Sequence, residues 1–178
     1  MTFANSVFVL HERGLLDKIV VHGDVTTTAA KQGGDNIGFG GHKHLKGDKL
    51  VAICDRHCRV LAPFVASPGN QNESPLLLPA LGALPDIAKD VSIELRGSIV
   101  SFNGVYDSKV NRTAIFNRMV IPNIPENRRA RKETKRGRMR RFNPDICCER
   151  FRTIERVFAW DDKFRRLLIR FERISAAH

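Results

Sequence analysis

The sequence predicts an α/β domain in which a mixed β-sheet is flanked by helices. Runs of β-branched and apolar residues, separated by turn residues, occupy the N-terminal part of the chain. Farther along, segments with helical periodicity alternate with short strand-like segments. The chain has 178 residues, of which 42% are hydrophobic and 28% charged. That length and balance predict one domain with a substantial core.

The N-terminal part predicts one helix followed by three strands. Residues 3–16 have a loose helical pattern, and residues 18–28 are rich in valine and threonine, which favours a strand. Residues 49–54 and 60–66 are apolar runs on either side of a polar turn, which predicts an antiparallel hairpin. The glycine-rich residues 32–41 lack the GxGxxG and GKS/T patterns of phosphate-binding loops and predict a flexible loop.

The next segment predicts a loop that leads into a helix. Residues 68–75 are rich in turn formers, Asn72 or Ser74 can cap the helix, and Pro75 suits its first turn. The expected buried face of this helix consists of Leu76, Leu77, Leu81 and Leu84.

The remaining segments predict two strands and two helices. Residues 93–102 and 119–124 are strand-like, and the proline in the second of them favours an edge position. Between them, residues 108–118 predict a short helix with four inward residues, Val110, Ala114, Ile115 and Phe116. The last helix is expected from Asp145 onward, with its apolar face formed by Phe151, Ile154, Val157, Phe158, Phe164, Leu167, Leu168 and Phe171.

Three leading strands followed by alternating helices and strands are typical of an RNase-H-like (retroviral-integrase-like) domain. We expect residues 1–16 to form an N-terminal helix and residues 17–178 to form the core of such a domain.

A strong positive charge indicates a polyanionic partner. Thirty Lys and Arg residues against 19 acids give a net charge of +11 and a pI near 10.1, and phosphate neutralisation would release condensed counterions. The densest basic stretch, residues 128–141, ends with Arg136, Arg138, Arg140 and Arg141, which we expect to contact DNA. The sequence has no export signal, no membrane-spanning run and no basic amphipathic anchor, so we expect a cytoplasmic protein with no membrane partner.

Four cysteines are compatible with two interpretations. Cys54 and Cys58, with His57 between them, could belong to a zinc site. The spacing lacks paired CxxC hooks, and Cys147 and Cys148 are adjacent, which favours reduced thiols that partly fill a core.

Two acidic residues are candidates for chemistry on phosphodiesters. Asp24 interrupts the apolar pattern of the first strand, and Glu155 lies beside inward residues of the last helix. Carboxylates that converge from distant positions can hold the divalent ions of phosphoryl-transfer sites. The alternative interpretations are a strand-ending Asp24 and a surface Glu155 paired with arginines at helical spacing.

Several stretches resemble the DDE transposases of bacterial insertion sequences, which have an RNase-H-like core. The most specific is Arg152-Thr-Ile-Glu-Arg-Val-Phe-Ala-Trp160, followed by Lys163-Phe-Arg-Arg-Leu167. The others cover residues 22–28, 41–49 and 66–73, and the resemblance runs from about Asp17 to the C-terminus.

This resemblance implies a DNA strand transferase that acts on double-stranded DNA, at element ends and at the target. A divalent metal, Mg²⁺ or Mn²⁺, would activate water or a 3′-hydroxyl to attack a phosphodiester. Asp24 matches the first acid of the family and Glu155 the last, so both are expected metal ligands. Arg152 and Arg156 match basic positions beside that glutamate and, with Lys163, are expected to contact DNA.

The second acid of the family is missing. Asn103 stands at its position, within Ser101-Phe-Asn-Gly-Val-Tyr-Asp-Ser108. An asparagine oxygen can ligate a cation but brings no negative charge, so we expect weak metal binding and impaired cleavage. Asp107 lies four residues on, and the intervening turn is expected to point it elsewhere.

Two interpretations of function remain open. Family members carry additional sequence on both sides, so we expect a truncated copy or one completed by a second polypeptide. The first interpretation is a transposase core of the bacterial nucleoid that transposes poorly. The second is a non-catalytic DNA-binding remnant that occupies element ends or associates with itself or with an intact transposase. An RNA-binding protein is disfavoured, because Tyr106 and Trp160 are the only Tyr and Trp available for base stacking.

Overall fold

A computed structural model describes residues 2–41, 44–127, 140–164, 169–171 and 173–174. Within these residues four helices accompany a seven-stranded sheet. The helices are α1 (Phe3–Glu12), α2 (Leu77–Asp90), α3 (Lys109–Asn117) and α4 (Pro144–Asp161). The strands are β1 (Val20–Ala30), β2 (Gly38–Gly40), β3 (Leu45–Asp55), β4 (Val65–Pro68), β5 (Ile99–Ser101), β6 (Ile121–Asn123) and β7 (Ile169–Arg170). Short 3₁₀ turns at Ser74–Leu76 and Gly104–Tyr106 precede α2 and α3.

The sheet is mixed, as the sequence predicts. Its main order is β2-β3-β1-β5-β6. The neighbours of β3, which are β1, β2 and β4, all run antiparallel to it. The strands β5, β6 and β7 continue the sheet in parallel pairings. The central strand β1 therefore joins an antiparallel half to a parallel half, and the proline-containing β6 lies at the predicted edge.

Each face of the sheet has its own apolar core, because successive strand residues point to opposite sides. Val21, Val51 and Ile53 belong to the larger cluster, which includes the buried leucines of α2. Ala52 and Cys54 belong to the smaller cluster, which includes Ile154, Val157 and Phe158 of α4. The helix α4 thus covers the face that is opposite to α2.

The predicted apolar face of α2, together with the turn that precedes it, is confirmed. Leu76, Leu77, Leu81 and Leu84 are all buried. Asn72 accepts a hydrogen bond from the amide of Ser74 at 3.0 Å, at the start of the turn that leads into the helix. Val7 of α1 and Leu84 line one small apolar cavity, which places α1 beside α2.

The structure corrects several local predictions. The predicted flexible loop at residues 32–41 contains the short strand β2, and the second hairpin strand begins at Val65 rather than Val60. In α3, Val110 and Phe116 are exposed, while Asn111 and Arg112 take inward positions. Arg112 can be buried there because it bonds the Asp107 carboxylate and the carbonyl oxygen of Ile124.

The helix α4 confirms Ile154, Val157 and Phe158 of its predicted buried face, but it differs from the prediction at Phe151 and in its length. Phe151 is exposed, and the inward position next to it is taken by Arg150. The helix ends at Asp161, so Phe164 and Phe171 lie outside it and are exposed. The positions of Leu167 and Leu168 lie outside the described residues. Among the helices in the described part of the chain, none combines the length and apolar character that crossing a membrane requires.

Candidate functional site

Asp24 lies in the middle of β1, on the face that α4 covers. It is paired in register with Ala52 of β3, and His22 is paired with Cys54, so both polar residues share the side of the smaller core. The Asp24 side chain is 17% exposed. The predicted break in the apolar pattern therefore corresponds to a partly buried carboxylate under α4.

Asn103 contacts Asp24 directly. It follows β5 and caps the turn Gly104–Tyr106 by accepting a hydrogen bond from the Val105 amide at 2.9 Å. Its side-chain nitrogen then donates to Oδ1 of Asp24 at 3.1 Å. The fold thus brings together two candidate residues that are 79 positions apart in the chain.

Arg150 of α4 contacts the second oxygen of the Asp24 carboxylate. Its Nη1 atom donates to Oδ2 of Asp24, and the Arg150 side chain is only 6% exposed. Burial raises the pKa of Asp24, and the positive charge of Arg150 together with the amide of Val25 opposes that rise. Asp24 is therefore a buried acid whose ionised form depends on a guanidinium.

Four ionisable side chains that contact one another lie beside this pair. Nε2 of the buried His22 lies 3.4 Å from Oε1 of Glu149. Arg56 donates two hydrogen bonds, of 2.7 and 2.8 Å, to the same carboxylate. Arg56 also lies 3.5 Å from Asp17. Burial lowers the pKa of His22, against the effect of Glu149, and the Arg56 contact lowers the pKa of Glu149. These contacts fix α4 against β1 and the turn after β3.

Two aromatic rings lie on the opposite face of the sheet, in the larger core. The ring of Phe102 lies so close to Gly23 that an added Cβ would be 2.3 Å from its Cζ atom. Phe102 meets Tyr106 edge-on, with ring centroids 4.9 Å apart. Tyr106 is fully buried, and its hydroxyl has no hydrogen-bond partner among the described residues. Burial raises the pKa of Tyr106, and the carboxylates of Asp24 and Glu73 raise it further.

Glu155 does not join Asp24 and Asn103 at this site. It is exposed on α4, on the side that faces away from the buried Arg150, Thr153 and Ile154. Arg152 and Arg156 are exposed on the same side of the helix. Lys163 is also exposed, and its ammonium group lies 5.2 Å from the ring centre of Trp160.

The basic stretch is described only at its end. Arg140 contacts the carboxylate of Asp107, and Arg141 is exposed, while Arg136 and Arg138 lie outside the described residues. Asp107 also accepts hydrogen bonds from Arg112 at 2.8 Å and from the Asn127 amide at 3.0 Å. Burial opposes its ionisation, but these donors outweigh burial and lower the pKa of Asp107. Asp107 is thus directed away from Asp24, as the sequence predicts.

The side chains around Asp24 do not fit a divalent metal ion. Mg²⁺ requires an octahedral shell of oxygen ligands. One oxygen of Asp24 already accepts from Asn103 and Val25, and the other faces the Arg150 guanidinium. In the described parts of the chain, no cluster of three or more His, Cys, Asp or Glu side chains is arranged to hold a metal. The Mg²⁺ or Mn²⁺ expected from the sequence stays a prediction, which this arrangement around Asp24 does not favour.

Arg150 and Glu149 are the site residues that sequence reasoning missed. A signal for Arg150 exists, because it precedes Ile154 by four positions and Val157 by seven, which is the spacing of one helical face. An arginine on an inward face indicates a buried acid as its partner. The contact between Glu149 and Arg56 joins residues 93 positions apart and has no local signature in the sequence.

The site belongs to a mixed α/β domain in which an asparagine and an arginine hold a buried aspartate. No protein-family model matches this chain, and no curated protein matches it. Among solved structures, the chain is similar to a Mos1 transposase paired-end complex with left transposon end, with a TM-score of 0.40 and 13% identity. The match covers 67% of this chain and 39% of the Mos1 chain, so it is partial and distant.

Proposed function

We propose that this chain is a DNA-binding domain of the insertion-sequence transposase type, with an RNase-H-like fold, that takes part in DNA transposition. The contact of 3.1 Å between Asn103 and Asp24 carries the proposal. The sequence resemblance assigns these two positions to one site, although 79 residues separate them. A mixed sheet that starts with antiparallel strands and continues with parallel ones also agrees with the expected fold.

The exposed side of α4 supplies the DNA-binding surface in this proposal. Arg152 and Arg156 are one helical turn apart and exposed, and Lys163 follows close to the end of the helix. Guanidinium groups donate two hydrogen bonds to a phosphate, and the net charge of +11 attracts DNA at longer range. Glu155 lies between the two arginines and limits the positive potential of this surface.

A salt series tests the DNA-binding surface. Fluorescence anisotropy would measure binding of a mixed-sequence DNA duplex by the parent protein and by a variant with Arg152→Gln, Arg156→Gln and Lys163→Gln. The variant should bind more weakly, and the slope of log K against log salt should become shallower by up to about 2.7, at about 0.9 per lost phosphate contact. The matched control is Lys89→Gln, which removes an exposed charge from α2 on the opposite side of the sheet. Equal slopes for the triple variant and the parent would show that these side chains of α4 do not contact the DNA.

Within this proposal, cleavage and strand transfer are impaired, and a non-catalytic role is the second candidate. The chain would then occupy element ends or associate with itself or an intact transposase. The observation in its favour is that Arg150 and Asn103 surround the Asp24 carboxylate with hydrogen-bond donors. Glu155 is exposed and lies away from Asp24, which also favours the non-catalytic role.

Cleavage of supercoiled plasmid in Mg²⁺ and in Mn²⁺ separates these two candidates. We expect no nicking by the parent. Nicking by Asn103→Asp alone would favour an impaired enzyme that lacks one acid. If neither protein nicks while both bind the duplex, the non-catalytic role is favoured.

A further inference from the structure

The Asp24 carboxylate already has a cationic partner inside the protein. Arg150 reaches it from α4, and both side chains are largely buried. A buried ion pair of this kind is stable only when the geometry is good and the remaining hydrogen-bonding positions are satisfied. Asn103 and the Val25 amide satisfy the other carboxylate oxygen at 3.1 and 2.9 Å, whereas Nε of Arg150 is buried and has no hydrogen-bond partner among the described residues.

Neighbouring contacts hold Arg150 in this position. Glu149, the preceding residue, is fixed by two hydrogen bonds from Arg56 and lies against His22. On the following turn, Thr153 and Ile154 are buried against the sheet. Since α4 is anchored on both sides of Arg150, the guanidinium cannot leave Asp24 by a small shift of the helix.

We propose that Arg150 is a built-in cation that occupies the position beside Asp24 where a divalent ion would otherwise bind. A metal ion there would have to displace the guanidinium and would also meet Asn103, which adds no negative charge. Two changes would then be needed to create a metal site: removal of the positive charge at Arg150 and an acid at position 103. The expectation of a metal beside Asp24 rests on the proposed function, whereas the test below measures metal binding without DNA and can fail independently of DNA binding.

Tyr106 makes the site observable. It is the only tyrosine of the chain, it is buried, and it ends the short turn that Asn103, a direct neighbour of Asp24, caps. A Tb³⁺ ion bound at Asp24 would be sensitised by excitation of Tyr106. Trp160, the only tryptophan, is exposed on α4, and Trp160→Phe removes its background signal.

The experiment measures saturable Tb³⁺ luminescence in the Trp160→Phe background. We expect no saturable signal from the parent or from Asn103→Asp, because Arg150 is still present in both. The double variant Asn103→Asp/Arg150→Met should bind Tb³⁺ at least about tenfold more tightly than the parent or Asn103→Asp. This difference corresponds to about 1.4 kcal/mol. The matched control, Asn103→Asp/Arg150→Lys, keeps the positive charge and should resemble Asn103→Asp.

Several results would overturn the inference. One is a saturable signal in the parent or in Asn103→Asp that disappears when Asp24→Asn is added, because a metal would then bind beside Arg150. Another is a double variant that is folded by circular dichroism and gains no signal. If the double variant does not fold, the Asn103→Asp result alone decides, since a signal there contradicts the proposal and its absence supports it.

Discussion

The Arg150 guanidinium and the Asp24 carboxylate form an ion pair that joins α4 to the middle of β1. The pair crosses the face of the sheet on which the smaller apolar core lies, and its two members are 126 positions apart in the chain. It therefore contributes to the fold and at the same time determines what else can approach Asp24.

Removal of Arg150 should destabilise the protein strongly. In Arg150→Met, the Asp24 carboxylate remains largely buried and loses its countercharge, so the free energy of unfolding should fall by about 3 kcal/mol at neutral pH. Adding Asp24→Asn removes the unpaired charge and should restore part of the loss. Urea unfolding measures the free energy of unfolding of the parent, of Arg150→Met and of the variant that also carries Asp24→Asn. The control Arg152→Met changes an exposed residue of the same helix and should alter stability by less than about 0.5 kcal/mol. Equal effects of the two single variants would show that the ion pair contributes nothing.

Gly23 should not tolerate a methyl group. A Cβ at this position would lie 2.3 Å from the Phe102 ring, which is packed against Tyr106 and has little room to move. Gly23→Ala should therefore lower the free energy of unfolding by about 1–3 kcal/mol.

The matched control for this change is Gly82→Ala, within α2. Apart from the backbone of α2 itself, no described residue lies within 4 Å of the added Cβ there, and alanine favours a helix, so stability should rise by about 0.5–1 kcal/mol. Unfolding of Gly23→Ala at the same denaturant concentration as the parent would contradict the close packing of Phe102 against β1.

His22 should make stability depend on pH. Burial lowers its pKa in the folded protein, whereas the unfolded chain titrates near the usual value of 6.5. As the pH falls below 6.5, the unfolded chain gains a proton before the folded one does, so stability should fall as the pH decreases. The slope for this single group is at most about 1.4 kcal/mol per pH unit.

The comparison of His22→Gln with the parent isolates this effect. Burial raises the pKa of Asp24, which acts in the opposite direction just above pH 3.8, but Asp24 is common to both proteins. Chemical denaturation at a series of pH values should give a shallower slope for the variant below pH 6.5. Parallel curves for the two proteins would mean that His22 is protonated to the same extent in the folded and unfolded states.

Another buried arginine, Arg170, should anchor the strand β7. Arg170 is 0% exposed and bonds Asp48 of β3 at 3.1 Å and the carboxylate of Asp35. Arg170→Met would leave Asp48, which is 1% exposed, without this partner and should lower the free energy of unfolding by about 3–5 kcal/mol. Thermal unfolding should show partial recovery when Asp48→Asn is added. A single variant as stable as the parent would contradict the role of Arg170.

Sequence periodicity identified those parts of the fold in which apolar residues alone determine burial. The leucines of α2 and the strand character of β1 are such cases, and Asp24 stood out because it interrupts an apolar strand. The pattern failed where polar side chains are buried as pairs. Arg112 and Arg150 take inward positions in α3 and α4, whereas an assignment based on hydrophobicity placed the apolar residues next to them inward.

Other parts of the site have no signature in the local sequence. The strand β2 consists of Gly38, Phe39 and Gly40, which resemble a loop until they pair with β3. The contacts of Glu149 with Arg56 and of Arg150 with Asp24 depend on how α4 is placed on the sheet. Periodicity within α4 specifies its buried face but not the residues that it meets.

Duplex-DNA binding in EDTA and in Mg²⁺, at matched ionic strength, measures whether the protein needs a metal to bind DNA. In our proposal the protein binds DNA through basic side chains, and Arg150 takes the place of a metal at Asp24. The dissociation constant in Mg²⁺ should therefore be no lower than in EDTA, because Mg²⁺ only competes with the basic side chains for the phosphates. Binding that requires Mg²⁺, and that is lost in Asp24→Asn, would contradict it.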